Sequence, residues 1–398
     1  MFREAEPEDE SVGAIIKVIG VGGRGCFSVN SMAENALLGV ELIAANTDKK
    51  DLRGAKVKTI LQLGPRTARD KGVGMDPERG AKAAEESIEE IKQLLTGCDM
   101  LFIAAGLGGG TGTGAAPVIA KASHEMGILT VAVVGMPFSF EGENKAIVAE
   151  QGWKELSKHT DAIITLPNDR VLSVDGQRSI GDTSQAMGKD VLMLAVQAIT
   201  DMVNLPGEYG GIDFNDVSTT MKGMGRAVIG VGRAAGENRV MDAVQRAIDN
   251  PLMDDSRIDG AKGLLLHLRG NGDDIAIQNF ASAASMLTKQ CDKKVTFKFG
   301  ISHDPSLGDD AVVSVVATGV GEQTNVTKGD ETGVKPGSVG PRGPIVFSEP
   351  RKPPIGPQIS SNFGDEQPLS GPPKDRSSIS IPHEDTVTMP NFVRKIAN

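Results

Sequence analysis

Residues 106–114 read Gly-Leu-Gly-Gly-Gly-Thr-Gly-Thr-Gly, and no other stretch limits the possible folds of this chain so strongly. An apolar run, MLFIAA at 100–105, leads in, and Ala115-Ala116-Pro117 leads out into a helical pattern. Six glycines in nine residues are a burden on stability, because each loses much backbone freedom on folding. They make sense where successive N–H groups converge on an anion. Thr111 and Thr113 add hydroxyl donors, and the small residues at 112–116 let the next helix begin close to a ligand. No Lys-Ser/Thr pair follows, so this is not a Walker A loop and supplies no lysine to a phosphate. A buried strand before it and a helix after it do not suit a flexible linker.

A second loop, Gly20-Val21-Gly22-Gly23-Arg24-Gly25, satisfies G-x-G-x-x-G after the apolar run AIIKVIGV at 14–21. Glycines there let the backbone approach phosphate, and a helix N-terminus stabilises its charge. Taken alone the motif also fits a dinucleotide dehydrogenase, with Asp48 at a suitable distance to hold a ribose, or a plain tight turn. A dehydrogenase does not explain Gly108–Gly114 and normally has one such loop. Two loops at neighbouring strand ends suit one polyphosphate held from both sides.

The rest of the pattern supplies the frame. Apolar runs at 40–45, 58–63, 100–105, 129–134 and 161–166 read as strands, with helices at Pro77–Leu95 and Gly142–Lys158 between them. That alternation implies a parallel sheet with helices on both faces and a ligand at the strands' carboxyl ends. Thr183–Asn204 carries Val191, Leu194, Ala195, Ala198, Ile199 and Met202 at helical spacing and reads as one long helix between domains, ended by Pro206. Strands at 227–231, 263–268, 295–299 and 311–317 then outnumber helices at 238–248 and 274–289, the texture of an α+β domain. Beyond about Gly321 the chain is rich in Pro, Gly and Ser and reads as a disordered linker. The last residues, MPNFVRKIAN, place Phe392, Val393 and Ile396 at i, i+1 and i+4, compatible with a short tethered amphipathic helix or with a frayed tail.

Composition removes whole classes. At 398 residues the chain can hold two packed domains and a tail. Its net charge of −10 disfavours a nucleic-acid partner. Three cysteines, with no CxxC, and five histidines without ligand spacing leave no disulfide framework and no expected metal site. The acidic start, MFREAEPEDESVG, is not a signal peptide, and no run of about 18 apolar residues spans a membrane, so the expected compartment is the cytoplasm.

With these residues in hand, the chain resembles the tubulin/FtsZ family over about residues 12–320. GLGGGTGTGAAP looks like the family's glycine loop, and IKVIGVGG, Ala45-Asn46-Thr47-Asp48, Pro137–Gly142 (PFSFEG), Pro167-Asn168-Asp169-Arg170 and Ile212–Val217 (IDFNDV) agree in order. The resemblance implies an α/β fold: a tubulin-like GTPase domain with a Rossmann-like parallel sheet at 13–182, a long central helix at 183–205 and an α+β C-terminal domain at 206–320. Flanking these are a disordered extension at 1–12, a linker at 321–380 and a partner-binding peptide at 381–398. It also implies a GTP-hydrolysing filament protein of cell division, its site completed by the next subunit.

By this resemblance GTP or GDP is held by Gly22, Gly23, Arg24, Gly25, Cys26, Phe27, Asn46, Gly108, Gly109, Gly110, Thr111, Gly112, Thr113 and Lys145. Glu141 meets the ribose, and Asn168 and Lys189 the guanine; magnesium arrives with the nucleotide. Asp213 and Asp216, at i, i+3, are the catalytic pair that orients water from the neighbouring subunit, against a bland reading as a helix cap. The implied partners are other copies in a head-to-tail filament and, through Met389–Asn398, membrane-tethering division proteins at the inner face of the membrane. The chain departs from the family at Arg24 (for Gly), Cys26-Phe27, Asp76 (for Asn), Lys145 (for Arg), Gln185 (for Phe), Lys189 (for Asp or Asn) and Gly211 (for Asn). A lysine at 189 reverses the hydrogen-bonding sense at the guanine edge. This keeps open an alternative, a divergent scaffold that polymerises but hydrolyses GTP weakly or selects bases differently.

Overall fold

A computed structural model describes residues 13–35, 37, 39–166, 169, 191–205, 207, 210–250, 253, 258–271 and 277–321. The expectations placed on residues 1–12, Asn168, Gln185, Lys189, Pro206, the start of the central helix, the linker and the C-terminal peptide lie outside these.

The first half alternates strand and helix as the pattern requires. In order it runs β1 (Ile16–Val21), α1 (Gly22–Glu34), β2 (Val40–Asn46), α2 (Lys49–Arg53), β3 (Thr59–Gln62), α3 (Pro65–Ala68), α4 (Pro77–Glu86) and α5 (Ile88–Leu95). Next come β4 (Met100–Gly106), α6 (Thr111–Glu125), β5 (Leu129–Gly135), α7 (Glu143–Ser157) and β6 (Ala162–Leu166). These six strands pair in parallel in the order β3-β2-β1-β4-β5-β6. Every residue of β1 and β5, and all of β4 but Gly106, is buried, which is why they read as apolar runs interrupted at Lys17 and Thr130 alone. Lys17 in β1 is tolerated because its ammonium donates to the Leu94 carbonyl (2.7 Å) and pairs with Glu41 (3.0 Å).

Helices cover both faces. Cys26, Val29 and Met32 of α1 share one core with Ala195, Val196 and Ile199 of α8 (Val191–Asn204). Ala83 and Ala84 of α4, Ile91 and Leu95 of α5, Ala115 and Ile119 of α6 and Leu156 of α7 fill the core on the other face. The single helix expected over Pro77–Leu95 is two. Ser87 leaves helical geometry (φ −102°, ψ 23°), and its hydroxyl accepts from the Gly64 amide (3.1 Å) and donates to the Gln62 carbonyl (3.4 Å). A serine that bonds across to another segment competes with its own helix.

The second half comprises α9 (Phe214–Met221), β7 (Gly225–Ala235), α10 (Arg239–Ile248), β8 (Gly263–Gly270), α11 (Ile277–Thr288), β9 (Thr296–His303) and β10 (Asp310–Thr318). Its strands continue the same sheet in the order β7-β10-β8-β9, with antiparallel pairing at β7-β10-β8. A short parallel contact of Ala162–Ile164 with Gly225–Ala227 joins β6 to β7. Val217, Met221, Ile229, Leu265 and Val316 belong to the same core as β1 and α8, so apolar packing runs between the halves. Arg269 of β8 adds a polar tie, pairing with Asp201 of α8 and with Asp304 (2.6 Å for the latter).

Candidate functional site

The strand order places a topological switch point between β1 and β4. The chain leaves β1 toward α1 on one face and leaves β4 toward α6 on the other, so a crevice opens at their carboxyl ends. Both glycine loops border it. They touch: a Cβ on Gly22, whose φ is +74°, would stand 3.0 Å from the Gly112 nitrogen. The helices that start here, α1 and α6, have no side-chain cap and no acidic residue in the first turn. Their first N–H groups and the positive ends of two helix dipoles are therefore left to an anion.

The glycines of the second loop divide by purpose. A Cβ on Gly110 would stand 2.2 Å from the Gly74 carbonyl oxygen, on Gly112 2.3 Å from that of Gly106, and on Gly114 1.9 Å from that of Pro77. These three let α6 start against α4 and the end of β4. Gly109 meets nothing within 4 Å, and Gly108 (φ +94°) faces the side chain of Lys145. The glycine excess is thus partly a packing requirement. The loop is pinned by Thr113, whose hydroxyl accepts from the Gly108 amide (2.9 Å), and by the 2.7 Å hydroxyl pair Thr47–Thr111. Thr47 is fully buried and was not among the predicted contacts; it lies in the quoted ANTD segment, whose spacing alone does not reveal which side chain turns toward α6.

Charged groups line one wall. The stem of Arg24 lies across Gly106, and its guanidinium is 6.0 Å from the Phe138 ring centroid. Burial lowers the Arg24 pKa from its ordinary value, with the Glu141 charge opposing that shift. Glu141 pairs with Lys145 and accepts from the Phe138 amide (2.9 Å). Burial pushes the Glu141 carboxyl up, but those hydrogen bonds and the charges of Lys145 and Arg24 outweigh it and hold it below the usual range. The Arg24 side chain therefore runs across Gly106 toward Phe138, within the field of the Glu141 charge. Asp76 does not face the crevice with a free charge; it caps α4, accepting from the Arg79 amide (3.2 Å).

The side chains of other predicted contacts have surroundings of their own. The Cys26 thiol points into the core, where it donates to the Gly20 and Ala45 carbonyls and burial pushes it up to about 12. Phe27 stands exposed on α1. Asn46 is buried and organises its own turn: its Oδ1 accepts from the Thr47 amide (2.8 Å), and its Nδ2 donates to Asp51 (2.9 Å). Asp48, the ribose ligand of the dehydrogenase reading, caps α2 instead.

Asp213 and Asp216 form a reciprocal cap at the start of α9, Asp213 Oδ1 accepting from the Asp216 amide at 2.7 Å. They are not beside the glycine loops of their own chain. Phe214, Ser218 and Lys222 line a cavity with Asp99, Ile128 and Asp161, residues that precede β4, β5 and β6. The loops leave the opposite ends of those strands, roughly 20 Å away for strands of this length. Asp161 fixes the arrangement, accepting from the Thr130 amide (2.9 Å) and the Gly223 amide (3.2 Å).

Two family models match the chain: the GTPase domain of the tubulin/FtsZ family over residues 15–176 and the C-terminal domain of the FtsZ family over residues 225–321. The chain is 44% identical to the cell division protein FtsZ of Pseudomonas aeruginosa over 77% of its own length and 78% of that protein's. It is also 44% identical to that of Buchnera aphidicola, covering 81% of this chain and 83% of the other. Among solved structures, an empty FtsZ dimer from M. jannaschii superposes with a TM-score of 0.72 at 34% identity, covering 78% of this chain and 89% of that one. No helix among the described residues is long and apolar enough to cross a membrane. From its loops, its sheet order and these likenesses, the chain belongs to the tubulin/FtsZ family and carries both the family's GTPase domain and the FtsZ C-terminal domain.

Proposed function

We propose that this chain binds GTP in the crevice between β1 and β4 and hydrolyses it only when a second copy stacks on that end. The triphosphate lies against the amides of Gly22–Gly25 and Gly108–Thr111, where two uncapped helix starts favour negative charge. Lys145 and Arg24 add positive charge at the rim, and Glu141, held ionised between them, is placed to accept from a ribose hydroxyl. Magnesium, when bound with the nucleotide, supplies further charge neutralisation on the phosphates.

One observation carries the reading: the acidic pair and the glycine loops stand at opposite ends of the same parallel strands. A head-to-tail stack is the arrangement that brings one molecule's Asp213 and Asp216 to the next molecule's loops, and such a contact repeats into a filament. There the carboxylates orient a water toward the γ-phosphate. Relatives 44% identical are cell division proteins, which supports a role in the division ring, with Met389–Asn398 as the segment that engages membrane-tethering partners.

Phosphate release per molecule is expected to rise with protein concentration and to level off once all protein pellets with GTP. Turnover per molecule that is unchanged on dilution overturns the proposal. GTP, ATP and GDP compared in the same pelleting assay read the base preference.

A further inference from the structure

The catalytic assignment leaves one cation unexplained. Lys298 belongs to β9, which among the described residues is an edge strand paired with β8. Side chains alternate along a strand. Phe297 and Phe299 take one face, where Phe299 packs on Phe280 at 5.2 Å between centroids. Lys298 and Gly300 take the other. A Cβ on Gly300 would touch Ile212, the residue before the acidic pair, at 3.3 Å. Leu265, in register with Lys298 on β8, shares a buried core with Val217 and Met221 of α9. The face that carries Lys298 is therefore the face on which α9 is seated.

This packing delivers the ammonium to Asp216. Lys298 Nζ stands 2.6 Å from Asp216 Oδ1, while Asp216 Oδ2 faces the Asp213 amide at 3.5 Å. Each oxygen of the carboxylate thus has its own donor, and rotation about its last torsion would break both contacts. The hydrogen bond to Asp216 and its charge, with Asp213 adding to them, raise the Lys298 pKa, so the cation stays charged through the neutral range. An exposed pair contributes little to folding; its value here is angular, because positioning of a reacting group is steeply distance-dependent.

We propose that Lys298 is a positioning residue for hydrolysis, holding the Asp216 carboxylate in the orientation it presents to the neighbouring molecule's nucleotide. The proposal rests on the reading that Asp216 completes the site of that neighbour.

The test uses the full chain, with steady-state GTP turnover measured above the concentration at which it pellets. Variants are Lys298→Met, Lys298→Arg, Asp216→Asn and the double variant Lys298→Met/Asp216→Asn. Lys298 is 43% exposed, so methionine of similar length leaves no buried hole; GTP-dependent pelleting serves as the folding control. Lys298→Met is expected to lower kcat by roughly ten- to a hundredfold with KM for GTP within about twofold, because other residues bind the nucleotide. Lys298→Arg restores most of the loss. In the Asp216→Asn background, Lys298→Met has no further effect, which a merely structural lysine would not show. Native kcat in Lys298→Met, or losses that multiply in full in the double variant, overturn the proposal. Native turnover in Asp216→Asn is a different failure, since it removes Asp216 from the reaction and this proposal with it.

Discussion

Replacing Gly114 and Gly109 by alanine, one at a time, separates glycines that serve packing from those that serve the ligand. At Gly114 the new methyl would sit 1.9 Å from the Pro77 carbonyl oxygen and 2.7 Å from the Ala81 nitrogen, both backbone atoms of α4. Relief requires α4 and α6 to part by about an ångström, and overpacking of this kind costs about 3 kcal/mol. Alanine in the first turns of α6 returns about 1 kcal/mol of helix propensity. The net loss is about 2 kcal/mol, which for a folded region of about 300 residues lowers Tm by about 3 °C. At Gly109 the methyl meets nothing within 4 Å, and φ lies outside the left-handed region, so stability is unchanged to within about 0.5 kcal/mol. The same methyl stands where an anion would lie. Losing one charge-assisted N–H contact weakens GTP binding by about tenfold. Thermal unfolding without nucleotide at low protein concentration reads the first effect, and GTP titration reads the second. A Gly114→Ala chain that melts with the native protein refutes the packing assignment. A Gly109→Ala chain that loses stability but keeps its GTP affinity refutes the ligand assignment.

Two further predictions concern stability. His267 is buried, its Nε2 shares a 2.9 Å hydrogen bond with the Ser302 hydroxyl, and burial, with the Arg269 charge beside it, lowers its pKa to about 4. Its unfolded value is higher, so the unfolded state takes up the proton first as pH falls below about 6.5, and stability drops by about 2 kcal/mol between pH 7 and pH 5 from this group alone. Urea unfolding of a His267→Gln variant at both pH values should show a correspondingly smaller drop; an identical drop removes His267 as the cause. Arg269 joins Asp201 of α8 to Asp304 through two different nitrogens. Lysine cannot span both, and Arg269→Lys should cost about 1 kcal/mol in the same assay, while Arg269→Met, which leaves two carboxylates facing each other, should cost about 3 kcal/mol. Equal stability of the lysine variant and the native chain would show that one of the two links carries nothing.

The sequence by itself determined the sheet strands of the first half, because strands buried on both faces are apolar at nearly every position, as in MLFIAA and, with Lys17 the exception, AIIKVIGV, and their alternation with helical patterns and glycine loops fixes the reading. It also marked both glycine loops, since such a density of glycine has no place in an ordinary helix or strand. Tertiary structure alone decided what each glycine is for. Gly110 and Gly114 are required by the backbones of Gly74 and Pro77, distant in the chain, and Gly112 by that of Gly106 at the end of β4, and local sequence carries no record of these approaches. The same holds for Cys26 and Asn46, which sit inside the predicted site by position but turn into the core and into their own turn. It holds for Thr47, whose hydroxyl reaches Thr111 only because α6 starts above β2's end. The separation of Asp213 and Asp216 from the loops of their own chain is likewise a property of the packed sheet. Parallel strands have two ends, and only their pairing shows which groups share one.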